Sequence, residues 1–186
     1  LSEKEGAFDR AANELRYALE EIGFFYIVNH GFPSGLLERA FKQVARFHAL
    51  PDQEKQQLAV NDHHCGYMYT GAEVARSSEY HTGTLRADVV EAFMIKRDRA
   101  PVPIEETNQW PSNLPDFRET LVEYFEAAEE LFRRLLPVFA SSLELAPNYF
   151  ESMFGQNEAL NVLRASHYPH DVTLSENQFH ISPHTD

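Results

Sequence analysis

The sequence predicts an α+β protein whose helices come first and whose sheet begins late. Three observations carry this. Apolar residues recur at helical spacing over 8–22, 36–47 and 117–143. Two short runs rich in aromatic and β-branched residues, 24–28 and 89–96, read as strands between those helices. From residue 159 onward the pattern turns extended to Asp186. A stable sheet needs several paired strands, so 159–186 reads as the opening of a β domain. The segments divide as 1–115, helices and isolated strands; 116–158, a long helix and a short one; and 159–186, the start of the β domain.

In chain order, Ser2-Glu3-Lys4-Glu5 has capping-box spacing. Phe8, Ala11, Ala12, Leu15, Ala18, Leu19 and Ile22 then form one helical stripe, ended by Gly23. Phe24-Phe25-Tyr26-Ile27-Val28 predicts a buried strand, and Asn29-His30-Gly31 a turn out of it. A second helix follows Pro33-Ser34-Gly35, with Leu36, Leu37, Ala40, Phe41, Val44 and Phe47 on one face. Pro51 suits the first turn of a third, short helix. Residues 61–88 show no period and read as a long loop. In the strand 89–96, Glu91, Phe93 and Ile95 share one side, and Val90, Ala92 and Met94 the other. Residues 98–115, with four prolines, connect to the long helix of 117–145. Pro137 should kink or divide that helix. A short helix over 147–154, a strand over 159–168 and a polar turn over 169–177 complete the pattern.

Composition narrows the function classes. Hydrophobic residues make up 43% of the 186, with 14 Phe and 8 Tyr, as in a globular chain. The formal net charge of −13 opposes nucleic acid or an anionic membrane as main partner, since both require a basic face. No apolar run approaches the roughly 20 residues that span a bilayer. The single Cys65 excludes an internal disulfide and, with no signal-peptide pattern at Leu1-Ser2-Glu3-Lys4-Glu5, suggests a cytoplasmic protein.

His184-Thr185-Asp186 is the motif with chemical content. On extended backbone the two side chains point to one side, their Cα atoms roughly 6–7 Å apart. An imidazole, a carboxylate and one further histidine make the facial triad of non-haem Fe(II) sites. The pattern is common by chance, so it needs support from the rest of the chain.

Four blocks supply that support. Gly23-Phe24-Phe25-Tyr26-Ile27-Val28-Asn29-His30-Gly31-Phe32, Phe47-His48-Ala49-Leu50-Pro51 with Glu54-Lys55, Leu163-Arg164-Ala165-Ser166-His167-Tyr168-Pro169 and Ser182-Pro183-His184-Thr185-Asp186 together resemble the isopenicillin-N-synthase-like Fe(II)/2-oxoglutarate-dependent oxygenases, in the family's order and spacing. The resemblance implies a double-stranded β-helix (jelly-roll) barrel backed by N-terminal helices, truncated here before most barrel strands. It implies His184 and Asp186 as two iron ligands, with the third, a histidine, beyond Asp186 and followed by an arginine for 2-oxoglutarate. Tyr168 matches a tyrosine that holds the 2-oxoglutarate carboxylate in relatives. Alternation puts Ser166 and Arg164 on its face, and Ser166 stands where relatives often carry asparagine. The implied reaction is oxidation of a small molecule at a C–H bond by O2, with succinate and CO2 as co-products.

Other residues are weighed against plainer roles. Tyr67, Tyr69 and Arg76, with Tyr80 and His81, could line a substrate entrance or simply a surface loop. His180 is four residues before His184, but Pro183 opposes the helix that a His-x-x-x-His zinc pair needs. His63-His64-Cys65 contains metal-competent residues whose side chains diverge. Asn29-His30-Gly31 reads as a structural turn, and Phe93 as core. Two functional alternatives stand beside the oxygenase: an Fe(II)/O2 oxidase of the same family that does not use 2-oxoglutarate, and a non-catalytic binding protein on this fold.

Overall fold

The computed structural model describes residues 6–71, 87–97, 108–154, 161–176 and 178–182. Their elements, in order, are α1 (Ala7–Tyr17) with a π-helical turn (Ala18–Ile22), α2 (Leu36–His48), α3 (Asp52–Gln56), β1 (Gly66–Met68), β2 (Glu91–Lys96), α4 (Phe117–Ser142), α5 (Glu151–Phe154) and β3 (Val162–His167). They form two compact units. One comprises Leu1–Arg39 and Thr120–Leu160, the other Ala40–Glu119 and Asn161–Asp186. No described helix is long and apolar enough to cross a membrane.

In the first unit, the stripe read from the sequence buries Ala12 and Leu15 against Val138, with Phe8, Ala11, Phe25 and Phe139 packed around them. The helix stops where predicted, at Gly23, whose φ of 91° suits a residue without Cβ. Asn29-His30-Gly31 is the expected turn. Asn29 and Gly31 have φ of 55° and 71°, the Phe32 amide donates to His30 Nδ1 at 3.0 Å, and Arg134 Nη1 donates to the His30 carbonyl at 2.9 Å. The predicted strand 24–28 is not formed. Phe25 and Ile27 are half-buried while Tyr26 is 90% exposed and Val28 also faces solvent. The run alternates as a strand would, but no described segment pairs with it, and β propensity without a partner does not make a sheet. Helix α4 runs through Pro137 without division.

The second unit is built on a three-stranded antiparallel sheet of order β1-β2-β3. The isolated strand of the sequence reading is therefore the middle strand, and three residues of the supposed loop, Gly66–Met68, form its neighbour. Tyr67 pairs with Phe93 and Phe93 with Ala165, so one face of β2 carries Glu91, Phe93 and Ile95. Phe93 meets Phe47 and Phe117 at ring separations of 4.6 and 5.3 Å, and Phe47 meets Phe117 at 5.5 Å. All three rings are fully buried, each contributing about 2–3 kcal/mol. Met68, Val90, Ala92 and Met94 pack on the other face. In α2, Leu36, Ala40 and Phe47 are buried as expected, but Leu37 and Phe41 are exposed, so the apolar stripe is narrower than the pattern suggests.

Candidate functional site

Glu91 begins β2 on the aromatic face and is 4% exposed. A carboxylate this deep needs donors, and four elements supply them. His48 Nδ1, from the last turn of α2, lies 3.0 Å from Oε1. His167 Nδ1, from the end of β3, lies 2.7 Å from the same oxygen. Lys55 Nζ, from α3, donates to Oε2 at 2.8 Å, and the Tyr67 hydroxyl, from β1, donates to that oxygen too. His48 also reaches the Ala165 carbonyl through Nε2, at 3.2 Å, and its ring lies 5.0 Å from that of His167. Burial alone would raise the Glu91 carboxyl, but the bonds from His48, Lys55, Tyr67 and His167 outweigh it and hold the group well below the ordinary carboxylate range. Burial and then the bond to Glu91 push the Tyr67 hydroxyl up to about 12. Burial works against the Lys55 charge, but its bonds to Glu91 and Asp52 prevail and raise it.

His48, Glu91 and His167 each offer one ligand atom, and these atoms lie within 4.8 Å of one another. The spacing suits a metal ion; the charge does not. An ammonium already stands 2.8 Å from the carboxylate, and both carboxylate oxygens are engaged. A divalent ion here would sit beside Lys55 with Glu91 already compensated. The cluster is a hydrogen-bonded hub joining α2, α3, β1 and β3.

Beyond the hub, Arg164 and Ser166 alternate with Ala165 and His167 along β3, and Tyr168 follows just past the end of the strand. Arg164 Nε donates to Ser166 Oγ at 3.2 Å. Tyr168 is 44% exposed and meets the edge of His180 at 6.4 Å. The segment 178–182 is held along 87–89. Val89 N donates to the Phe179 carbonyl at 2.9 Å, His180 Nδ1 donates to the Val89 carbonyl at 3.0 Å, and Ser182 Oγ donates to Asp88 Oδ1 at 2.5 Å. His180 is thus a backbone tie.

The other candidates separate. Tyr67 is 3% exposed and committed to Glu91, so it belongs to the core and does not line an entrance. Tyr69 is exposed. Cys65 is fully buried while His63 and His64 face solvent, so these three do not converge. Arg76, Tyr80, His81, His184 and Asp186 lie outside the described residues. The donor set of His184 and Asp186, one imidazole and one carboxylate, is that of two corners of a non-haem iron site. The hub itself escaped the sequence reading, although a glutamate between apolar residues on a buried strand was its signal.

Comparison with known proteins bears on the whole chain. A family model described as "non-haem dioxygenase in morphine synthesis N-terminal" matches residues 1–113. The "2-oxoglutarate-Fe(II) type oxidoreductase hxnY" of Emericella nidulans is 30% identical over 95% of this chain and 53% of its own length. The "Proline hydroxylase buaE" of Petromyces alliaceus is 30% identical over 100% of this chain and 58% of its own. The chain thus spans little more than half of these relatives. A solved structure of JOX2 in complex with 2OG, Fe and JA superposes with a TM-score of 0.68, at 26% identity, over 89% of this chain and 46% of that one.

Proposed function

Since the chain belongs to the non-haem Fe(II)/2-oxoglutarate-dependent oxygenase family, we propose that the full-length protein oxidises a small molecule at a C–H bond, consuming O2 and 2-oxoglutarate and releasing succinate and CO2. The observation that carries this is His184-Thr185-Asp186 following the Tyr168-Pro169 block in a chain that the family model matches. His184 and Asp186 would hold Fe(II), as an imidazole and a carboxylate ligand. Bound iron supplies the activation of O2 and the oxidative decarboxylation of 2-oxoglutarate. The protein's part is geometry: the Tyr168 hydroxyl donates to a 2-oxoglutarate carboxylate, with Ser166 and Arg164 beside it on the same face. Tyr69 and Arg76 are the proposed substrate contacts. The acidic charge favours a small molecule over nucleic acid, and one buried cysteine suits a cytoplasmic setting.

The test is made on the full-length protein. His184→Ala and Asp186→Ala should each abolish Fe(II) binding in calorimetry and succinate formation from 2-oxoglutarate. Turnover that survives either change would overturn the assignment. Iron-dependent O2 consumption without succinate would replace it with an oxidase that does not use 2-oxoglutarate.

A further inference from the structure

We infer that Glu91 is a positioning residue for 2-oxoglutarate binding: through His167 it fixes the end of β3, and with it the direction of Tyr168. The inference rests on the role proposed above for Tyr168.

The sheet register is the first ground. Glu91 and His167 are the terminal Cα partners of the β2–β3 ladder. Tyr168 is the next residue, beyond the last strand position, so the ladder itself does not hold it. What fixes the chain there is the side-chain bond from His167 Nδ1 to Glu91 Oε1, at 2.7 Å.

The second ground is that Glu91 cannot yield. Its carboxylate is held at both oxygens by donors from α2, α3 and β1 as well as β3. His48 extends the same grip to the Ala165 carbonyl, two residues before His167. A buried ion pair adds little net stability over apolar packing of the same volume. What four converging bonds do supply is a fixed direction.

The third ground lies on the other side of Tyr168. Its ring meets His180 edge-on at 6.4 Å, and His180 is bonded to the Val89 carbonyl. Residues 89–91 therefore hold both neighbours of that position: Glu91 bonds His167, the residue before Tyr168, and Val89 bonds His180, whose ring meets that of Tyr168. A side chain that must meet a carboxylate at hydrogen-bond distance gains most from such support.

The experiment compares His167→Leu, which removes the donor, with His167→Asn, whose amide nitrogen can take the place of Nδ1. The Kd of 2-oxoglutarate is measured by calorimetry on the full-length Fe(II) protein under nitrogen, and KM and kcat by succinate release. His167→Leu should raise the Kd and KM for 2-oxoglutarate roughly tenfold with kcat changed less than about twofold. His167→Asn should recover most of the loss. If His167→Leu does not fold, Glu91→Asp, which withdraws the carboxylate by one methylene, should show the same split. Unchanged affinity in His167→Leu, or equal loss in the leucine and asparagine variants, would overturn the inference. Tyr168→Phe separates the premise: if it leaves the Kd unchanged, the role of Tyr168 fails and the inference falls with it. If Tyr168→Phe weakens binding and His167→Leu does not, only the positioning role fails.

Discussion

Replacing Glu91 by Gln is expected to destabilise the full-length protein by about 3–5 kcal/mol, measured by urea denaturation at neutral pH. The variant keeps the shape and removes the charge. Lys55 is then left with its ammonium facing a neutral amide and only the solvent-exposed Asp52 carboxylate as an ionised partner, and the two histidines lose an ionised acceptor. Part of the loss comes from the Lys55 charge, which keeps only the exposed Asp52 carboxylate at 3.1 Å as an ionised partner, so Lys55→Met in the Glu91→Gln background should restore some of it, giving a coupling energy above about 1 kcal/mol. A loss of under about 1 kcal/mol for Glu91→Gln would mean that the cluster behaves like an exposed ion pair. The same carboxylate predicts a pH dependence. His48, Lys55, Tyr67 and His167 hold the folded-state Glu91 carboxyl well below its ordinary value. Its contribution is therefore present above the unfolded carboxyl value, about 4.3, and is lost as pH falls from there through the depressed folded value. The parent protein should lose stability over that acid window more steeply than Glu91→Gln, which has no carboxyl to protonate.

That hub shows where the sequence could be read and where it could not. Helical stripes were legible because they depend on residues three and four apart: Ala12 and Leu15 face the core as the pattern says, and Gly23 ends the helix by its own backbone preference. The two faces of β2 were legible for the same local reason. Glu91 stood out as a charge among apolar neighbours, but its partners lie 24, 36, 43 and 76 residues away along the chain. No periodicity joins residues at such separations; the pairing of β2 with β1 and β3 brings in Tyr67 and His167, and α2 and α3 bring in His48 and Lys55. Tyr67 was misplaced at a substrate entrance for that reason, since its stretch has no period and its three-residue strand exists only through its partner. The error at 24–28 ran the other way, with strong β propensity and no partner to use it.

Gly66→Ala is the substitution that exposes how tightly β1 is seated, and it is expected to cost about 3–5 kcal/mol. Two effects combine. Gly66 has φ of 114°, a conformation that L residues rarely adopt. A Cβ there would also collide with the Leu58 carbonyl and stand 2.5 Å from Gln109 Nε2 and 3.2 Å from the Ala59 carbonyl. Neither side can move without loss. The Leu58 carbonyl accepts from Tyr67 N at 2.6 Å, and Gln109 Nε2 donates to the carbonyls of Ala59 and Cys65 at 2.7 and 3.0 Å. Relief of the clash must displace Tyr67, the next residue, and withdraw its hydroxyl from Glu91. Gly23→Ala is the matched control: its φ is 91°, but no heavy atom lies within 4 Å of the added Cβ. Backbone strain alone then applies, about 1–2 kcal/mol. Thermal and urea unfolding of the two full-length variants should separate the terms, with Gly66→Ala the more costly by at least about 2 kcal/mol. Equal costs would mean that β1 shifts freely to accept a side chain, and the rigidity assigned to the Tyr67–Glu91 bond would be lost with it.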